Sequence, residues 1–155
     1  YHLAAVLASN GLVALLATAQ HVWQAAGLDP DDAFAALAPL VDATWTNVQR
    51  DGPAALTGPA ARGDAETIAT HLRALQQAQA SGTLSSLLSG ASAEQLYTTL
   101  TETMLRIQQA QHALSDAEIR RVREHMQAAR ASSGAEGSFT SEQEEASSSN
   151  AAPAD

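Results

Sequence analysis

Apolar residues recur at three- and four-residue spacing along most of the chain, which predicts four or five α-helices. The first helix is expected from about Tyr1 to Ala26, with Gly27 as its stop residue. Two stripes follow its length: Leu3, Val6, Asn10, Val13 and Ala17, and then Leu12, Leu16, Ala19 and Trp23. A helix that is apolar on more than one face is predicted to be central in its domain or shared with a second subunit.

A second helix is predicted to begin at residues 29–32, where Asp-Pro-Asp-Asp supplies a cap, a proline at the first helical position and acids in the first turn. It continues to about Arg50, with a bend at Pro39. Its apolar stripe consists of Phe34, Leu37, Val41, Trp45 and Val48. A third helix is expected over residues 64–80, where it would bury Ile68, Leu72 and Leu75.

Two capping boxes, in which Ser is followed three residues later by Glu or Gln, predict helix starts in the second half of the chain. The box at 92–95 begins a fourth helix, whose stripe is Tyr97, Leu100, Met104, Ile107 and Leu114. The box at 115–118 begins a fifth helix, or a sharp bend, that ends near Arg130. Residues 81–90 are rich in Ser and Gly and are predicted to form a loop with at most one helical turn.

The sequence shows no alternating strand pattern, so the predicted fold is an all-α domain over residues 1–130. Only 4% of the residues are aromatic, and Leu, Val and Ala must therefore supply most of the core. Residues 131–155 consist mainly of Ser, Ala and Glu and hold no Lys or Arg. This segment is predicted to be a disordered acidic tail.

Charge and composition exclude several classes of chemistry. The net charge of −9 argues against a nucleic-acid partner, because phosphate binding depends on Lys and Arg. The chain contains no lysine, which excludes a Schiff base or a lysine general acid within it. It contains no cysteine either, which excludes disulfides and thiolate metal sites and is typical of a cytoplasmic protein. His21, His112 and His125 lack metal-ligand spacing, so no metal site is predicted.

The segment from Leu3 to Ala19 is nearly uncharged and close to the lower limit of roughly 17–25 residues for a membrane span. Ser9, Asn10 and Gly11 interrupt its centre, and the first arginine of the chain is Arg50. Because flanking basic residues are missing, we predict that this segment does not cross a membrane.

The nine residues from Leu56 to Asp64, L-T-G-P-A-A-R-G-D, are predicted to form a loop of fixed shape between the second and third helices. Glycines permit unusual backbone geometry, the proline stiffens the path, and Asp64 suits the N-cap of the next helix. The first N–H groups of that helix and its positive dipole end would lie beside Thr57 and Arg62. This composition predicts a small anion-binding site.

The same string carries a resemblance to a known family. With Y-H-L-A-A-V at residues 1–6, Ser9-Asn10, Thr67, His71-Leu72 and Leu75, the chain resembles the C-terminal helical domain of a bacterial Rossmann-like family with domain of unknown function 2520. The likeness runs from Tyr1 to about Leu75, and more weakly through residues 96–100 to about Ala110.

This family resembles pyrroline-5-carboxylate reductase and the β-hydroxyacid dehydrogenases. The resemblance therefore implies a helical domain like the C-terminal dimerisation domain of 6-phosphogluconate dehydrogenase-like oxidoreductases, working as a homodimer. NAD or NADP would be held by a preceding Rossmann domain, because this sequence has no G-x-G-x-x-G motif after a strand. We expect the isolated chain to bind no cofactor and to be inactive. The alternative is a non-enzymatic helical dimerisation or scaffold module.

The resemblance also suggests residues for catalysis. Asn10 could stand for the asparagine of the Lys-x-x-x-Asn motif found at the substrate in related dehydrogenases, although the lysine position is Val6 here. Its amide is expected to be buried, either in a bond between helices or at a ligand cleft. His2 is a second catalytic candidate, because a histidine can exchange a proton near neutral pH, or it is simply solvated.

Five further residues are candidates for binding a small anionic substrate: Asn47, Thr57, Gly58, Arg62 and His71. Arg62 offers a planar fork of donors for a carboxylate or phosphate, or else pairs with Asp64, Glu66 or a neighbouring subunit. Asn47 either meets substrate or braces the loop, and bracing is favoured. His71 either reaches the site or pairs locally at the edge of its helix.

Overall fold

The computed structural model describes residues 1–84 and 92–131, except for the side chain of Ser92. These residues form α-helices, two short 3₁₀ helices and turns, and no strand occurs in the described ranges. The α-helices are α1 (His2–Ala8), α2 (Asn10–Ala25), α3 (Ala33–Asp51), α4 (Gly58–Arg62), α5 (Ala65–Ala80), α6 (Ser92–Ala110) and α7 (116–131). The 3₁₀ helices are Pro30–Asp32 and Gly52–Ala55. The all-α prediction is confirmed.

The first predicted helix occupies the predicted range but is interrupted at the single residue Ser9, and helical backbone hydrogen bonds continue across the interruption, from Ser9 N–H to the Ala5 carbonyl and from Val13 N–H to the Ser9 carbonyl. The Ser9 backbone lies at φ −106° and ψ −70°, and its Oγ donates to the carbonyl of Ala5 at 2.7 Å. A serine hydroxyl that bonds back to the preceding turn competes with helix geometry and bends the chain. The predicted stop is confirmed, because α2 ends at Ala25 and Gly27 has a φ of 82°.

The start of the second predicted helix depends on the predicted cap. The carboxylate of Asp29 accepts the N–H of Asp31 at 3.0 Å, and the first turn after it is 3₁₀. Two side chains of α2 fasten this corner: Trp23 Nε1 donates to the carbonyl of Asp29 and Gln20 Nε2 to that of Pro30, each at 2.9 Å. These bonds hold α2 against the beginning of α3.

The core lies among α4, α5, α6 and α7. Its largest fully buried apolar side chains are Ile68, Leu72, Leu105, Ile119 and Val122. Ile68 and Leu72 were predicted to be buried, whereas Leu75, also predicted there, is only half-buried.

The buried face of α6 differs from the predicted stripe. Leu105 is fully buried together with Thr101 and Gln108, whereas Tyr97 and Met104 only flank the core. These three buried residues share one helix face at i, i+4 and i+7, but two of them are polar. A stripe chosen by apolar residues alone was therefore rotated away from the true contact with α5 and α7.

The capping box that begins α7 is confirmed. Ser115 Oγ donates to Glu118 Oε2 at 2.6 Å, the Ser115 N–H donates to the same oxygen at 2.8 Å, and the Glu118 N–H donates to Ser115 Oγ at 3.3 Å. An ion pair between Arg123 and Glu102 joins α7 to α6, and the hydrogen bond from Arg123 holds the pKa of Glu102 below its usual range.

Two other predictions about the second half fall partly outside the described residues. The side chain of Ser92 is not described, so the first capping box stays a prediction. Residues 81–84 form a turn, and 85–91 lie outside the described ranges. The predicted tail lies outside them from residue 132, and α7 continues one residue past the predicted boundary.

Helices α1, α2 and α3 bury almost nothing. In the described part of the chain, no residue of α1 or α2 is buried, and α3 buries Ala33 alone. Of the two interpretations of the first helix, a central position in the domain is therefore wrong for this chain.

The run His2–Ala25 is long and apolar enough, by length and composition, to cross a membrane.

The position of the core predicts that truncating two different leucines has different effects on the free energy of unfolding. We expect Leu105→Ala to lower the free energy of unfolding by about 2–5 kcal/mol, because it leaves a cavity among α5, α6 and α7. Leu3→Ala is the matched control, since Leu3 is 72% exposed and its truncation removes little packing. Chemical denaturation measures both, and equal losses would contradict this position of the core.

Candidate functional site

A groove of about 520 Å³ lies between α2 on one side and α5 and α6 on the other. Small side chains line much of it: Ala19, Ala25 and Ala26 from α2 and its C-terminal end, and Ala74 and Ala78 from α5. Larger apolar side chains close its walls: Leu15, Val22, Leu75, Leu84, Leu96 and Leu100. The groove is thus an apolar space created where alanines of facing helices stand opposite one another.

Three polar residues interrupt this apolar lining. Thr18 on α2 donates its hydroxyl to the carbonyl of Ala14 at 2.9 Å, so it is satisfied within its own helix. The other two form a pair: His71 Nδ1 on α5 lies 2.8 Å from the Tyr97 hydroxyl on α6, and the rings meet edge to face with centroids 5.7 Å apart. Burial raises the pKa of Tyr97, against a smaller opposing effect of its hydrogen bond with Thr101. The pair is the polar feature of the groove that helix-internal bonds leave open to a ligand.

The turn between α3 and α5 has a different shape from the predicted loop. Gly58–Arg62 forms the short helix α4, and Gly63 then takes the left-handed conformation at φ 64°. The left-handed conformation favours glycine at this position, and an added Cβ would lie 3.3 Å from Leu114 Cδ2, a contact tight enough that Leu114 would have to shift. Five of the nine residues of the predicted loop are helical, and its fixed shape stays a prediction.

Asp64 caps α5 as predicted, and this cap changes the expected anion site. Its carboxylate accepts the Thr67 N–H at 3.1 Å and the Thr67 hydroxyl at 2.8 Å. These hydrogen bonds lower the pKa of Asp64, so an anion at the start of α5 would face a fixed negative charge. The described residues contain no strand–glycine loop–helix unit.

Arg62 remains exposed at the end of α4. Among the described residues it forms no ion pair with Asp64 or Glu66, although its charge helps to lower the pKa of Asp64. The two alternatives for Arg62, a ligand contact or an ion pair that includes a neighbouring subunit, stay predictions. Thr57 is also exposed, and Gly58 beside it has a φ of 84°.

The remaining predicted site residues lie apart from the groove. Asn10 is the first residue of α2 and is exposed, so the expectation that its amide is buried was wrong. The cause is that α1 and α2 lie at the edge of the molecule. His2 is exposed at the start of α1. Asn47 Oδ1 accepts a bond from Arg50 at 3.3 Å within α3, rather than bracing the turn.

Of the predicted site residues, the groove is lined by His71 alone. Thr57, Gly58 and Arg62 share the turn beside α4 because they are close in sequence. Sequence reasoning missed Tyr97 as a polar site residue, because it was counted as part of an apolar stripe. Its pairing with His71 arises from the packing of α5 on α6, which the spacing along either helix does not reveal.

The fold and the groove define an all-α domain with an apolar cleft and, apart from it, a turn that carries the exposed Arg62. The family model described as a domain of unknown function, DUF2520, matches residues 1–104. The chain therefore belongs to the DUF2520 family. All residues that line the groove fall within the match, and α7 lies outside it. No curated protein and no solved structure matches the chain.

The geometry of the turn predicts that substituting Gly63 destabilises the fold more than substituting Gly82. We expect Gly63→Ala to cost about 1–2 kcal/mol for the left-handed backbone, and more for the contact with Leu114. Gly82→Ala is the matched control, because Gly82 has a φ of 69° and no described atom within 4 Å of an added Cβ. Thermal unfolding compares the two, and equal destabilisation would show that Leu114 does not constrain the turn.

Proposed function

We propose that this chain is the dimerisation and substrate-side domain of an NAD(P)-dependent oxidoreductase, working as a cytoplasmic homodimer. The observation that carries the proposal is the exposed apolar surface of α1, α2 and α3. Leu7 is 67% exposed, Leu40 65% and Trp45 62%. Apolar surface of this extent usually marks an interaction site.

A second copy of the chain fits this surface for two reasons. The described residues of α1 and α2 include no Asp, Glu, Lys or Arg, so two copies of this face bring together no carboxylate, ammonium or guanidinium groups. Trp45 on α3 supplies a large aromatic side chain of the kind that anchors interfaces. Association would also complete the burial that α1 and α2 lack in the single chain.

The oxidoreductase part of the proposal rests on the resemblance to the reductases and dehydrogenases named above. NAD or NADP would bind a preceding Rossmann domain, and this domain would supply one wall of the substrate cleft. Arg62 is the proposed contact for an anionic substrate, because its planar fork is exposed. Asn10 and His2 are exposed on α2 and α1, where a neighbouring domain can reach them.

The dimer is tested by the double variant Trp45→Glu/Val48→Glu, which places two charges on the apolar stripe of α3. We expect sedimentation to show a dimer for the unmodified chain. For the variant we expect a dimer dissociation constant at least about 100-fold higher, equivalent to about 3 kcal/mol of association free energy. The matched control, Thr46→Glu/Gln49→Glu, adds the same charge at exposed polar positions of α3. A monomeric unmodified chain across a wide concentration range would contradict the dimer.

The cofactor assignment is tested by calorimetry with NADPH and NADH. We expect no micromolar binding by this chain and micromolar binding by a longer protein in which a Rossmann domain precedes it. Micromolar binding by this chain would contradict the division of roles. A longer protein that binds neither nucleotide would favour the non-enzymatic scaffold.

Membrane attachment through α1 and α2 is a second candidate, favoured by the 24-residue apolar run His2–Ala25. Flotation with neutral phosphatidylcholine vesicles separates the two. The dimer proposal expects the chain to stay with the soluble fraction, and co-flotation that the Trp45→Glu/Val48→Glu variant retains would favour the membrane.

A further inference from the structure

The groove between α2, α5 and α6 differs from the exposed face of α1–α3 in one respect: it is a concave space lined by three helices. Its volume of about 520 Å³ falls within the range of roughly 300–1,000 Å³ that small-molecule sites occupy. The described residues that line it include no Asp, Glu, Lys or Arg. An ion placed there would lose its hydration without a charged partner, so the lining favours an uncharged occupant.

The volume also sets how large an enclosed occupant can be. One turn of an α-helix with its side chains, about 10–12 Å across and 5.4 Å long, fills roughly 400–600 Å³. The groove therefore encloses no more than about one helical turn, whereas a compact small molecule fits within it.

The polar pair in the wall sets the chemistry of the occupant. In one tautomer the Tyr97 hydroxyl donates to His71 Nδ1, and His71 Nε2–H is the free donor. In the other, His71 Nδ1–H donates to the tyrosine oxygen, and the tyrosine O–H faces the hydroxyl of Thr101, with which Tyr97 shares a hydrogen bond. The first arrangement offers a donor to a ligand, which must then supply a hydrogen-bond acceptor.

We propose that this groove is a binding site for a small, uncharged, largely apolar molecule with a carbonyl group, which the His71–Tyr97 pair holds by a hydrogen bond. Leu15 and Val22, which are 37% and 38% exposed, would be covered by its apolar body. The proposal does not depend on the oxidoreductase assignment, because every described residue that lines the groove belongs to this chain.

The probe for this site is prodan, an uncharged naphthyl ketone whose emission shifts to the blue in apolar surroundings and to the red when its carbonyl accepts a hydrogen bond. We expect saturable binding by the unmodified chain. Ala19→Phe and Ala78→Phe fill the groove from opposite walls and should each weaken binding at least tenfold. Ala43→Phe is the matched control at an exposed position of α3, away from the groove, and should change the affinity less than twofold.

The polar contact has its own test. Tyr97→Phe keeps the ring and removes the hydroxyl, so we expect binding about 2- to 10-fold weaker, the usual effect of one hydrogen bond, and a changed prodan emission maximum. Unchanged affinity and emission in this variant would overturn the assigned role of the pair. Retained affinity in both groove-filling variants would overturn the site itself.

Two further results exclude other locations of the probe. Binding should survive Trp45→Glu/Val48→Glu, and its loss there would place prodan on the α3 face and overturn the proposal. If the groove-filling variants fail to fold, nuclear Overhauser contacts in the unmodified chain decide the matter. Contacts from prodan to the methyl groups of Ala19, Val22 and Ala78 support the groove, whereas contacts to α3 alone overturn it.

Discussion

Burial of Leu72 and Leu105 between α5, α6 and α7 is the constraint on which the rest of the structure depends. Both side chains are fully buried, and Ile119 and Val122 of α7 complete the contact. The turn at Gly63 and Asp64 sets the start of α5, and Gly63 lies close against Leu114 just before α7. With these faces committed to the core, α2 can pack only at the margin of α5 and α6.

The groove and the exposed face both follow from that marginal position. Facing alanines on α2 and α5 leave space that larger side chains would fill, and α2 approaches without closing it. The outer sides of α1, α2 and α3 then have nothing in the described part of the chain to cover them. One alanine-rich sequence therefore produces both the apolar cleft for which we propose a small molecule and the external apolar surface for which we propose a second copy.

Local features of the fold could be predicted from the sequence. The caps at Asp29 and Asp64 and the capping box at Ser115 are determined by a few neighbouring residues, and the structure has all three. The end of α2 before Gly27 is another local feature of this kind, because it depends on the positive φ of one glycine. Family membership also followed from a short local string. Such features depend on hydrogen bonds between residues within one helical turn, so the spacing of those residues in the sequence predicts them.

Features that depend on packing between helices could not be predicted in the same way. The buried face of α6 includes Thr101 and Gln108, which an apolar pattern overlooks. Asn10 interrupts an apolar stripe, yet it is exposed because its helix lies at the edge. The His71–Tyr97 pair joins residues 26 positions apart, and nothing in either helix alone indicates it.

Hydrogen exchange at several protein concentrations tests most directly the claim that α5–α7 form a self-sufficient core while α1–α3 depend on a second copy. Dilution should speed amide exchange in α1, α2 and α3, because dissociation uncovers them, and should leave exchange in α5, α6 and α7 unchanged. Exchange in α1–α3 that is slow and independent of concentration would contradict the account, as would protection of all helices that falls together on dilution.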